Sequence, residues 1–128
     1  MILFFDTETN GLWRRDLEVD HKDQPHMVSM AAQLCDMKEK IVGQMAFRMK
    51  PSDINFIIPK EVEEIHGIST KEAEQTGIPT KIALELFKEL LEKTDILVAH
   101  NTAFDLQIIE RAFNEFGIKY KLPKLIYC

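Results

Sequence analysis

The chain opens on an apolar run, residues 1 to 5, that reaches Asp6, and residues 1 to 6 predict a buried strand. Two further apolar stretches, residues 27 to 36 (MVSMAAQLCD) and 40 to 49 (KIVGQMAFRM), predict a second and a third strand. A tight turn at Met37 to Glu39 joins them into an antiparallel meander. The period then changes. Pro59 to His66 suits a short helical turn, and Ser69 with Glu72 makes a capping box for another. Residues 80 to 93 carry apolar side chains at 82, 83, 86, 87, 90 and 91, a helical stripe. Residues 95 to 99 (DILVA) predict a short strand, Asn101 is placed to cap a helix running through Phe116 to a stop at Gly117, and residues 125 to 127 (LIY) begin a last strand. Strands first, then strands alternating with helices, imply an α/β fold with a mixed sheet and helices packed on it. Trp13 to Gln24, dense in charge, reads as a surface loop.

Composition narrows the class. At 128 residues the chain predicts one domain, 1 to 128, with a single core. Apolar content of 45% is ordinary, and no run approaches the roughly 18 apolar residues of a membrane span, so neither a membrane nor a secretory route is expected, and a cytoplasmic location is. Cys35 and Cys128 show no metal-ligand spacing and read as reduced thiols. A formal charge of −5 argues against a broad cationic surface for nucleic acid, but is compatible with an acidic site that recruits metal ions to meet phosphate.

The stretch FFDTETNGL, residues 4 to 12, supplies such acids. In an extended strand residues i and i+2 share a face, so Asp6 and Glu8 point together while Thr7 points the other way. Two carboxylates about 4 Å apart repel by roughly 4 kcal/mol at an effective dielectric near 20, and a divalent cation removes the conflict. Oxygen-only ligands suit Mg²⁺ or Mn²⁺ rather than zinc. Asn10-Gly11 turns the chain immediately afterwards. On these residues alone a strand end with two solvated acids stands as the alternative. VAHNTAFDLQII, residues 98 to 109, adds a third acid: Asp105, one turn past the Asn101 cap and on the face of Asn101, Ile108 and Ile109, is expected to face the sheet.

Together, DTETNGL and AHNTAFD resemble the first two motifs of the DnaQ-like, or DEDD, 3′→5′ exonucleases. Between them, PHMVSMAAQLCD resembles the family's second strand, and KPSDINFIIPKEVEEIHGIST its linker ending in an IHGI-type turn. The resemblance covers nearly the whole chain. It implies an RNase H-like fold with a mixed five-stranded sheet, a meander of three strands followed by two more, flanked by helices. It also implies Asp6, Glu8 and Asp105 as catalytic metal ligands, with Asp6 bridging two Mg²⁺ or Mn²⁺ ions. Thr7, Thr9 and Leu12 match positions that contact the terminal nucleotide by backbone, hydroxyl and apolar wedging, and Asn101 and Phe104 match positions lining the same cleft. The implied partners are the 3′ end of single-stranded DNA or RNA, a nucleoside monophosphate product and, in proofreading members, a DNA polymerase subunit.

One departure accompanies the match. The family's third motif, a helix with a His or Tyr general base and a fourth metal-binding Asp after the last strand, has no counterpart in residues 1 to 128, so the domain reads as C-terminally incomplete. His66 in the IHGI turn reads as structural, His100 lies on the strand-to-helix turn, and His21 and His26 lie in or beside the polar loop. Two functions from different classes follow: a 3′→5′ exonuclease, impaired in this chain alone, and a non-catalytic module that keeps the fold and binds metal or 3′ ends. Trp13-Arg14-Arg15 and the run Lys119 to Lys124 read as solvated surface, and the methionines at 27, 30, 37, 45 and 49 as core or edge.

Overall fold

The computed structural model describes residues 1–54 and 56–128; Asn55, inside the linker-like stretch, lies outside them. Nine elements follow in chain order: β1 (Ile2–Thr9), β2 (Met27–Cys35), β3 (Ile41–Arg48), α1 (Lys60–His66), α2 (Thr70–Thr76), α3 (Thr80–Leu91), β4 (Ile96–Val98), α4 (Thr102–Glu115) and β5 (Leu125–Tyr127). The strands form one five-stranded sheet in the order β3-β2-β1-β4-β5. The meander pairs antiparallel, while β4 joins β1, and β5 joins β4, in parallel.

β1 is central, and its alternation organises the molecule. Leu3, Phe5, Thr7 and Thr9 are buried, while Phe4 and Asp6 are exposed and Ile2 and Glu8 half-buried. The buried set meets α3 and α4 in a core that includes Met30, Leu34, Leu84, Phe87, Ile109 and Phe113. Each such Leu, Ile or Phe taken out of water contributes about 1.5–3 kcal/mol. Phe5 and Phe87 touch across the sheet-to-helix layer at 5.5 Å between ring centres. A second, smaller core of Val28, Phe56, Ile58, Ile68 and Ala73 lies under α1 and α2.

Several elements differ from their sequence reading. β1 continues three residues beyond the predicted strand, through Thr9, so Asp6 and Glu8 sit within the strand rather than at its end; pairing with Ala31 and Ser29 of β2 carries the ladder past the polar residues. On α3 the buried line is Thr80, Ala83, Leu84, Phe87 and Leu91, whereas Ile82 and Leu86 are exposed, because the helix presents its Phe87 side to the sheet. Asn101 occupies the N-cap of α4 in the left-handed region (φ 52°, ψ 54°), but its side chain makes no capping bond and is exposed, so it does not share the buried face of Asp105, Ile108 and Ile109. The Ser69 capping box is present, and Gly117 (φ 63°) stops α4 as the Ile118 N–H reaches back to the Phe113 carbonyl.

The loop after β1 is organised rather than merely solvated. Gln24 is 2% exposed, accepts the Arg14 N–H, and donates to the carbonyls of Arg14, Leu17 and Glu18. Arg14 is spent on an ion pair with Asp16. Both cysteines are free, Cys35 buried and Cys128 exposed. Among the described residues no helix is long and apolar enough to cross a membrane.

Candidate active site

The even residues of β1 face away from α3 and α4. Asp6 stands opposite Ala31 and Glu8 opposite Ser29, so the acids have small neighbours and room around them. Beside Asp6 an open groove of about 570 Å³ runs over Phe4, Ala31, Gln33, Gln44 and Ala46.

Asp105 arrives from the other direction. The β1–β4 ladder ends at Phe4 opposite Val98. There the Thr102 hydroxyl ties the carbonyls of Ala99 and Tyr127 (2.9 and 3.0 Å), the left-handed Asn101 turns the chain, and α4 begins. One turn into that helix Asp105, 2% exposed, accepts the Thr7 N–H at 3.0 Å and the Thr7 hydroxyl at 2.5 Å, both on Oδ1. Burial pushes the Asp105 carboxyl above its ordinary pKa, the two Thr7 bonds pull it back, and the charge of Asp6 pushes it up again. Asp6 and Asp105 therefore lie within electrostatic reach of each other. A hard cation between them would relieve both the burial cost and the repulsion, so the oxygen-only donor set fits Mg²⁺ or Mn²⁺. As the side chains stand, no three His, Cys, Asp or Glu residues among those described gather closely enough to hold an ion. Oδ1 of Asp105 is committed to Thr7 on the covered side of the strand, whereas Asp6 and Glu8 project from the open side.

The remaining candidates divide by exposure. Leu12 is 88% exposed beyond the Asn10-Gly11 turn, free to meet a ligand. Thr9 is buried and its hydroxyl donates to the Gly11 carbonyl (2.7 Å), shaping that turn. Phe104 is half-buried against the core, and its N–H bonds the Asn101 carbonyl (3.0 Å). Thr7 spends both its donors on Asp105.

Of the histidines, His66 accepts the Ile68 N–H on Nδ1 (3.1 Å), which places the ring proton on Nε2, where it faces the Thr9 carbonyl at 3.2 Å. Its ring staples the IHGI turn to the end of β1. His26 is buried, stacks on Phe56 and faces Arg111 at 3.4 Å. Burial and the Arg111 charge lower its pKa. His21 accepts the Asp23 N–H, and His100 is exposed.

One residue escaped the sequence reading. Asn10 looks like the first half of a turn dipeptide, yet it accepts the His26 N–H (2.7 Å) and donates to the Ile57 carbonyl (3.1 Å), strapping three segments together behind the acids. Nothing in the dipeptide signals this, because both partners are distant in sequence.

The architecture recurs in solved structures. Escherichia coli exonuclease I in complex with a dT13 oligonucleotide matches 92% of this chain at a TM-score of 0.75 and 23% identity, using 24% of its own chain. A product-bound exonuclease I matches 92% of this chain at 0.74, over 26% of its own length. These likenesses define the fold as RNase H-like. The chain itself belongs to the Exonuclease (RNase_T) family, whose model matches residues 3–127. Among curated relatives, the 3′-5′ exonuclease DinG of Staphylococcus aureus is 32% identical over 72 residues, 56% of this chain and 8% of the relative; its counterpart in Staphylococcus haemolyticus is 33% identical over 69 residues, 54% and 7%. The chain thus spans less than a tenth of the curated relatives it matches.

Proposed function

We propose that this domain is a divalent-metal-dependent 3′→5′ exonuclease acting on single-stranded DNA or RNA ends, with Asp6, Glu8 and Asp105 as its acidic residues. The observation that carries the reading is a buried Asp105 tied by two hydrogen bonds to Thr7 on the central strand, between Asp6 and Glu8 in sequence and within electrostatic reach of Asp6. A zinc-bound form of an E. coli exonuclease I complex with single-stranded DNA belongs to the same fold, which supports a metal dependence here. The three carboxylates would hold Mg²⁺ or Mn²⁺, and the bound ions would supply Lewis-acid stabilisation of charge on the phosphate and the leaving 3′ oxygen.

The chain's own groups do the rest. Leu12, exposed on the turn beyond the acids, presents an apolar surface to the terminal base, while Asn101 and Phe104 border the Asp105 side. Net, one water is consumed and the P–O3′ bond breaks, releasing a nucleoside 5′-monophosphate and leaving a new 3′-hydroxyl. His66 has both nitrogens engaged and His26 is buried against Arg111, so neither is placed to serve as the general base that the resemblance implies. Proofreading within a polymerase assembly and stand-alone end processing would use this same site.

Because no three acids gather closely among the described residues, a second reading stands beside the first, a module that binds metal or 3′ ends weakly without cutting. One experiment separates the two. A 5′-labelled single strand incubated with the chain and Mn²⁺ should shorten one nucleotide at a time from its 3′ end, slowly, and not at all with Asp6→Asn or Asp105→Ala. Binding without shortening supports the second reading, and shortening that survives both substitutions removes the acids from the mechanism.

A further inference from the structure

We infer that Thr7 is a positioning residue for Asp105, fixing which carboxylate oxygen is presented to a cation. The inference rests on the exonuclease reading above and assigns Thr7 a role different from nucleotide contact. Thr7 is 6% exposed and lies on the covered side of β1, opposite in direction to Asp6 and Glu8. Its N–H points to where β4 would continue had that strand not ended at Val98. The Asp105 carboxylate takes the vacated rung. Because the N–H (3.0 Å) and the hydroxyl (2.5 Å) converge on the same oxygen, Oδ1, that oxygen is held toward Thr7. A single donor would leave that oxygen a wide arc about one bond, whereas two donors from one residue define its position.

The sequence pattern D-T-E gives this a use. The two acids project from one side of the strand, and the residue between them reaches the third acid from the other side, so one tripeptide sets the relation among all three. A buried Thr–Asp link could also serve only to seat α4 on β1, and a nucleotide contact would act on substrate alone. Each alternative has its own signature.

The test is Mn²⁺ affinity without nucleic acid, from the free-Mn²⁺ electron paramagnetic resonance signal, on the native chain, Asp6→Asn, Thr7→Val and Thr7→Ser, with melting curves in a chelator. Thr7→Val should weaken Mn²⁺ binding about tenfold, the size of one lost hydrogen bond to a charged group, and Thr7→Ser should restore it to within about twofold. Thr7→Cys, with a weak donor in the hydroxyl's place, supplies the same comparison should the valine variant not fold. Native affinity in Thr7→Val, with or without a lower melting temperature, overturns the inference and leaves the exonuclease reading standing. No Mn²⁺ bound by the native chain, or equal binding by Asp6→Asn, overturns the metal site itself and the inference with it.

Discussion

At the scale of single residues, the proposed site and its surroundings contain groups whose environment opposes their charge. Asp105 is held by Thr7 yet burdened by burial and by Asp6, a burden that the proposed cation would relieve. His26 shows the opposite sign: burial first, and then Arg111, lower its pKa below the ordinary 6.5. The unfolded chain therefore takes up the proton more readily. His26 contributes stability that is full above about pH 6.5 and is lost as pH falls through the lowered folded value. Melting temperature should drop between about pH 7.5 and about pH 5, and drop less in His26→Phe, which keeps the ring stacked on Phe56. Parallel pH profiles for the two proteins would place the proton uptake elsewhere. The common side of Asp6 and Glu8 was legible from the two-residue period, and Asp105 from its motif. The Thr7–Asp105 bond was not, because it joins residues 98 apart, and neither was the Asn10 strap, because a turn dipeptide carries no record of distant carbonyls.

At the scale of elements, each strand and helix was legible in kind and order, and the discrepancies lie where packing overrides pattern. β1 outruns its apolar residues because the β2 ladder holds Asp6, Thr7 and Glu8 in register with Ala31, Met30 and Ser29. α3 turns Leu84 inward and leaves Ile82 and Leu86 exposed, since a stripe broader than the contact lets tertiary fit choose its centre. Gly77 has an ordinary φ of −76°, so its backbone angle does not call for glycine. Its role is proximity. The segment after α2 lies against the end of β3, the Ile78 N–H bonding the Arg48 carbonyl and the Lys50 N–H the Ile78 carbonyl, and a Cβ on Gly77 would stand 2.4 Å from the Lys50 nitrogen. Those neighbours are backbone and cannot swing aside. Gly77→Ala should cost about 2 kcal/mol in urea denaturation, and a loss under about 0.5 kcal/mol would show that the two segments separate easily.

At the scale of the whole molecule, the principal helix packing lies on one side of the sheet. Ile2, Phe4, Val98 and Tyr127 share the open side with Ala31 and Ala46 by strand register, and Phe4 is 45% exposed. A contiguous apolar face of that kind should bind a hydrophobic dye, and Phe4→Lys should reduce the signal without lowering the melting temperature, because Phe4 lies outside the core. Dye silence in the native chain would mean that another copy or segment covers the face in solution. The one-sided packing has a further consequence for descent. β1 carries two interleaved patterns, Leu3, Phe5 and Thr9 turned into the fold and Asp6 and Glu8 turned out of it, so a lineage could lose the two acids and keep the burial of the other three. Catalysis could fade from such a domain while its architecture passed on intact, ready to be recruited as a binding subunit.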